Sequence, residues 1–189
     1  ELNDVTVVFN EGTINEKIAL SHINLHLDKG DFVTIIGSNG AGKSTLFQSI
    51  SGAVELSSGQ IILNGEDITT YPEYQRSQCI GRLFQDPLKG TAPSMTIEEN
   101  LSLASQRGKH FSLSLFTHKN RQQYKQALQT LDLGLENRLD AKVGTLSGGQ
   151  RQALTLLMAT YVTPQLLLLD EHTAALDPKT AQKVLKISS

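Results

Sequence analysis

The sequence predicts an α/β fold: a core of short, apolar strands, an antiparallel β-subdomain at its N-terminal end and an inserted helical subdomain. Three observations carry this. Alternating or wholly apolar runs over 2–9, 18–27, 32–36, 60–63, 79–84 and 166–170 have the period or length of strands. Between about 87 and 145 those signals fade and helical ones replace them. A glycine-rich loop, Gly37-Ser38-Asn39-Gly40-Ala41-Gly42-Lys43-Ser44, stands between an apolar run and a helical pattern, the order strand, loop, helix.

Residues 2–9 and 18–27 alternate apolar and polar side chains, as half-buried strands do, and Asn10-Glu11-Gly12 between them is turn chemistry. The run 32–36 suits a strand buried in the middle of a sheet, and the helix after the loop is expected from about Gly42 to Ser51. A strand over 60–63 is closed by the turn pair Asn64-Gly65, and another over 79–84 ends at Gln85. Thr96-Ile97-Glu98-Glu99 is a capping box that opens a helix. Residues 120–133 place Ala127, Leu128 and Leu131 on one helical face. A strand over 166–170 is expected to be buried on both sides, and Asp177-Pro178 has the N-cap and first-residue chemistry of a last helix. The expected division is a core of 1–86 and 146–189, with 87–145 as the helical subdomain.

A length of 189 residues suits one domain with an insertion. The net charge of −2 gives no global field toward nucleic acid or anionic lipid, and no nucleic-acid partner is expected. One cysteine, Cys79, makes an internal disulfide impossible and suits a reducing cytosol; it is read as an inert core thiol. The longest apolar runs, 154–159 and 166–169, fall far short of the ~20 residues that span a bilayer, so a membrane role must come through a partner. The chain starts at Glu1 and ends at Ser189 within a helical pattern; both ends are expected to be cut.

The loop Gly37–Ser44, with Thr45 after it, has the pattern of the phosphate-binding P-loop, and the core is expected to be a P-loop NTPase core. Glycines at 37, 40 and 42 are expected to allow positive φ and close backbone approach. Successive N–H groups then make an anion nest at a helix N-terminus. Lys43 reaches the β- and γ-phosphates of ATP and the Ser44 hydroxyl ligates Mg²⁺. Asp170 and Glu171 end an apolar strand, where ligands of open α/β sheets bind. Asp170 is expected to hold Mg²⁺ through a water, and Glu171 to polarise the attacking water as general base. Ser147-Gly148-Gly149-Gln150 is a second capping box. Its serine and glutamine suit an ordinary helix start through about Tyr161. Its two glycines are poor helix formers and fit only if something approaches the backbone closely.

With Leu146 before it, this pentapeptide, a P-loop about a hundred residues upstream and an acid pair twenty residues downstream resemble, in that order, the ATP-binding cassette ATPases, the motor subunits of ABC transporters. The match covers nearly the whole chain. The resemblance implies that the signature Ser147, Gly148, Gly149 and Gln150 completes the nucleotide site of a second cassette, in a homodimer or paired heterodimer holding two ATP head-to-tail. It implies that Gln85 is the Q-loop glutamine, contacting Mg²⁺ or water, and that Asp177 belongs to the D-loop at the dimer interface while also capping a helix. Phe9 matches the aromatic residue that stacks on adenine, or is a strand phenylalanine of the core.

The resemblance has departures. His172 stands where the family usually has proline, and the helix after Gln150 lacks the arginine-rich continuation many cassettes carry. Phe9 lies five residues farther than usual from the P-loop. The switch-histidine segment falls outside the sequence, so hydrolysis by this chain is expected to be impaired. His22, His26, His110 and His118 are read as surface or core histidines. The segments 90–100 and 170–177 are similar to those of importers that work with solute-binding lipoproteins. The expected function is an ATP-hydrolysing motor on the cytoplasmic face of the cell membrane, joined to permease subunits and, through them, to a solute-binding protein, for small-solute import. The alternative is a regulatory or interaction cassette without transport. The cargo is not legible.

Overall fold

β1 (Leu2–Phe9) and β2 (Lys17–Leu25) form an antiparallel hairpin, and β3 (Ser58–Leu63) and β4 (Glu66–Asp67) extend it into one sheet of order β2-β1-β3-β4. The computed structural model describes residues 1–84, 86, 88–108 and 118–170. They fall into two compact units, residues 1–77 and residues from 78 onward. In the first unit the predicted alternation is realised over residues 5–7, is broken at Asp4 with φ 54°, and in β2 leaves Ile18 exposed. Leu2, Val5 and Val7 of β1 are buried, as are Leu20, Ile61 and Ile68. Leu46 and Ile50 are buried on α1 (Lys43–Ser51). Asn64 and Gly65 have φ of 51° and 83°, the left-handed pair of a tight hairpin turn. The hairpin register shifts near Asp4 and His22. His22 donates its N–H to Thr6 Oγ1 at 3.1 Å, and its ring Nδ1 lies 2.7 Å from Asp4 Oδ1. His22 and His26 are thus exposed, as expected, but sit beside carboxylates; His26 meets Glu1 and Asp28.

The run 32–36 is not a strand. Phe32, Val33 and Ile36 are exposed at 75%, 51% and 90%. Such a run is buried only in a sheet covered on both faces, and it joins none of the strands of its own unit, which pair antiparallel with one another. A four-residue helix, α2 (Glu73–Arg76), closes the unit.

In the second unit β5 (Ile80–Leu83) pairs in parallel with β6 (Leu166–Leu169), from Ile80↔Leu166 to Leu83↔Leu169. β6 has this single neighbour among the described residues, so only Leu168 is buried and the strand is half-covered rather than enclosed. Around the pair lie α3 (Ile97–Ser105), α4 (His118–Gln129) and α5 (Gly148–Thr160). The predicted Thr96–Glu99 capping box is present in both directions. One apolar core joins Leu83, Ile97, Leu101, Tyr124, Leu128 and Leu154. Leu131 is buried just past the end of α4, and Ala127 is half-buried against the same core. Arg121 ties α4 to Glu98 on α3 and to both carboxylate oxygens of Asp140. Cys79 is half-buried rather than a core thiol.

Candidate nucleotide site

One candidate phosphate site is the start of α1. Gly42 is its N-cap with φ 89°, and no side chain caps the first turn. The leading N–H groups are therefore left to an external acceptor, at the positive end of the helix dipole. Gly40 and Gly42 need glycine on conformational grounds, with φ of 83° and 89°. At Gly42 space forbids a side chain as well, because a Cβ would stand 2.6 Å from the Ala19 carbonyl oxygen and 3.0 Å from Leu20 Cδ2. That contact presses the helix start against β2. Gly37 differs from expectation, having no positive φ. Its Cβ would come 3.2 Å from that of Ala41 and close to the Lys43 stem, so crowding and not φ favours glycine there. Lys43 Nζ donates to the Gly37 and Ser38 carbonyls at 2.7 and 2.9 Å, which holds the ammonium across the loop mouth. Ser38, Asn39 and Ser44 are exposed, and Thr45 is half-buried. This donor set fits a polyphosphate: uncapped N–H groups, two left-handed glycines and one ammonium.

Phe9 ends β1 opposite Lys17, two residues along β2 from the Ala19 carbonyl that Gly42 approaches. The residue is 38% exposed, so it is a surface residue at the strand end rather than a core one. Sequence reasoning missed Arg76. It is 3% exposed, yet it donates to four backbone carbonyls: Ser49 (2.7 Å) and Ile50 (3.0 Å) of α1, Thr69 (2.7 Å) and Tyr71 (2.8 Å). A cation on the last carbonyls of α1 complements its dipole and anchors the helix whose other end is the P-loop. Because its partners are backbone atoms, the sequence holds no pairing signal for it.

A second helix start, in the other unit, is that of α5. Ser147 caps α5 as predicted. Gln150 N–H donates to Ser147 Oγ at 3.3 Å and Ser147 N–H to Gln150 Oε1 at 3.2 Å. Ser147, Gly148 and Gly149 are exposed. Neither glycine has a positive φ, and a Cβ on either would meet no heavy atom within 4 Å. Their glycine character is therefore required by neither backbone conformation nor packing among the described residues.

The turn before Ser147 is held from two sides. The N–H groups of Val143 and Gly144 donate to the Met95 and Pro93 carbonyls at 3.0 and 2.9 Å. The buried Asn100 fastens that segment, accepting from Ala92 N–H at 2.8 Å and donating to the Ala92 and Thr96 carbonyls at 3.1 and 2.9 Å. Asn100, in the segment singled out from sequence for its capping box and its likeness to importers, is the second residue that sequence reasoning missed. Asp170 follows β6, half-buried, its N–H donating to the Leu83 carbonyl at 3.3 Å. Glu171, Gln85, Asp177, His110 and His172 lie outside the described residues, as does the side chain of His118.

Residues 20–174 match the model of the ABC transporter family. The chain belongs to the ABC transporter family. The tyrosine transport ATP-binding protein of Clostridioides difficile is 49% identical over 167 residues, covering 88% of this chain and 66% of that protein. A phosphonates import ATP-binding protein of Lactobacillus delbrueckii is 35% identical over 192 residues, covering 98% of this chain and 72% of its own length. Among solved structures, a dimeric ATP-binding cassette in a post-hydrolysis state bound to ADP and Pi superposes with a TM-score of 0.82 at 28% identity. It covers 98% of this chain and 79% of that one. The chain thus spans about two thirds to four fifths of the ABC proteins it resembles here. The α/β cassette fold expected from the sequence is the fold of these ABC neighbours.

Proposed function

We propose that the protein is the ATP-binding and hydrolysing motor of an ABC importer of small solutes. One observation carries the reading furthest. The signature places two glycines at an exposed helix start where nothing among the described residues explains them. The space over them suits a phosphate brought by a second cassette, and the cassette structure bound to ADP and Pi is a dimer. In this reading ATP lies on the P-loop, with Lys43 on its β- and γ-phosphates and Phe9 against adenine. Mg²⁺ is held by Ser44, by Asp170 through a water, and by Gln85. Glu171 activates water, while Ser147, Gly148, Gly149, Gln150 and Asp177 serve the partner cassette.

No described helix is long and apolar enough to cross a membrane. Attachment to the inner face of the membrane is accordingly assigned to permease subunits, contacted by the helical subdomain 87–145, with a solute-binding protein beyond them. Import, rather than a regulatory cassette without transport, is favoured by relatives named for tyrosine transport and phosphonates import, and an amino acid is the proposed cargo class. The test is Glu171→Gln in the full-length protein. Removing the base leaves ground-state contacts intact. ATP affinity is therefore expected to persist while turnover stops and ATP accumulates a dimer, seen by size exclusion with light scattering. Hydrolysis at the wild-type rate would overturn the assignment of the base, and a monomer under saturating ATP would overturn the paired cassette.

A further inference from the structure

We propose that Arg151 positions the signature turn for its ligand by holding the two carbonyls that precede it. This rests on reading Ser147–Gln150 as facing a phosphate. Arg151 is the fourth residue of α5, and its guanidinium turns back along the chain. Nη2 donates to the Leu146 carbonyl at 2.9 Å and to the Gly144 carbonyl at 3.2 Å. Its own N–H donates to the Ser147 carbonyl at 2.9 Å. Nε is buried and makes no hydrogen bond among the described residues, so the side chain holds this bent path at a desolvation cost. The charge points at the turn rather than at the open space over Gly148 and Gly149.

The turn it grips is already anchored on its far side. Gly144 is fixed to Pro93 and Val143 to Met95, and Asn100 fixes that segment in turn. A Cβ on Gly144 would stand 3.0 Å from the Pro93 carbonyl oxygen, so the two segments touch without slack. Arg151 closes the frame by joining this anchored turn to the first turn of α5. The direction in which the Gly148 and Gly149 N–H groups point is thereby tied to the core and not left to the helix end alone. Preorganised donors bind a charge without reorganising at the moment of contact. Loosening them weakens the phosphate contact while leaving the P-loop, in the other unit, untouched.

The experiment compares Arg151→Met and Arg151→Lys with the parent in the full-length Glu171→Gln background. It measures three things: affinity of the monomer for ATP, ATP-driven dimerisation per folded molecule, and amide hydrogen exchange of the signature in the nucleotide-free protein. Losing charge-assisted hydrogen bonds at a half-exposed site predicts dimerisation about tenfold weaker in Arg151→Met. Signature amides are predicted to exchange faster, with ATP affinity of the monomer unchanged. Arg151→Lys restores only part of the loss, because an ammonium lacks the planar fork. Parent-like dimerisation of Arg151→Met, signature exchange that does not move, or full recovery by lysine would each overturn the proposal. Gly148→Asp serves as the control. If it blocks dimerisation and Arg151→Met does not, positioning by Arg151 is wrong and the signature reading stands. If neither affects it, the signature reading itself fails.

Discussion

Gly148→Asp pulls stability and assembly in opposite directions, and the structure sets the size of both effects. A Cβ at 148 meets nothing within 4 Å, so no packing is lost. Glycine in a helix is about 0.8–1 kcal/mol worse than alanine, and aspartate lies between them. A carboxylate in the first turn adds about 0.3–1 kcal/mol by facing the helix dipole. The isolated monomer is therefore expected to gain about 0.5–1 kcal/mol, or about 1–4 °C in melting temperature for a chain of this size. The dimer is expected to respond in the other sense. A carboxylate about 4 Å from a phosphate charge in a partly screened site is repelled by about 4 kcal/mol, close to a thousandfold in the association constant for each of the two composite sites. Thermal melting without nucleotide measures the first effect. Light scattering with ATP in the Glu171→Gln background measures the second. A variant that melts lower would show that α5 tolerates no side chain at 148. One that dimerises like its parent would show that nothing charged comes near the signature.

Lys43→Ala is expected to keep its fold and to lose binding of a fluorescent ATP analogue at micromolar concentration, because Lys43 is the cation across the loop mouth; undiminished affinity in the folded variant would remove the P-loop assignment. Asn100→Ala leaves the half-buried Ala92 N–H without its partner and takes one of two donors from the Ala92 and Thr96 carbonyls. At about 1–3 kcal/mol for one unsatisfied group, with the two weakened carbonyls adding less, a loss of about 2 kcal/mol by denaturant unfolding is expected; a loss under about 0.5 kcal/mol would contradict the clamp. The hydrogen bond from Arg121 holds the Asp140 carboxyl below the usual carboxylate range, with the coulombic pull of the same guanidinium adding to it. A lowered folded-state value stabilises above the unfolded one and ceases to as pH falls through the folded one. The stability gap between the parent and Arg121→Met is thus predicted at neutral pH and to shrink below about pH 4. A gap that widens with acid would refute the pairing.

The parts legible in the sequence are those written in local chemistry. The two capping boxes, the Asn64-Gly65 turn and the alternation over residues 5–7 of β1 depend on neighbours a few residues apart, and each is found where its pattern puts it. The run 32–36 shows the opposite limit. Its apolar composition states a need for burial, but burial comes from elements distant in the chain, and the run pairs with none of the strands of its own unit. Gly37 was expected to need a positive φ and turned out to need room. In the site, P-loop and signature announce themselves through glycine spacing. Arg76, Asn100 and Arg151 do not, because each satisfies backbone carbonyls, and a carbonyl leaves no mark in the residue code. What the sequence did mark at 148 and 149 was an unexplained pair of poor helix formers. The structure keeps that pair unexplained from within, which is why it points outward.

The most direct test of a signature that completes its neighbour's site is to mix two defective full-length proteins, both in the Glu171→Gln background. One carries Lys43→Ala and the other Gly148→Asp. In a head-to-tail pair the two defects meet in one composite site and leave the other intact. Heterodimers isolated by differential tags and supplied with labelled ATP are predicted to retain one occluded nucleotide each, while either homodimer retains none. Heterodimers that form and occlude no ATP would contradict the trans arrangement and leave a P-loop ATPase of another assembly.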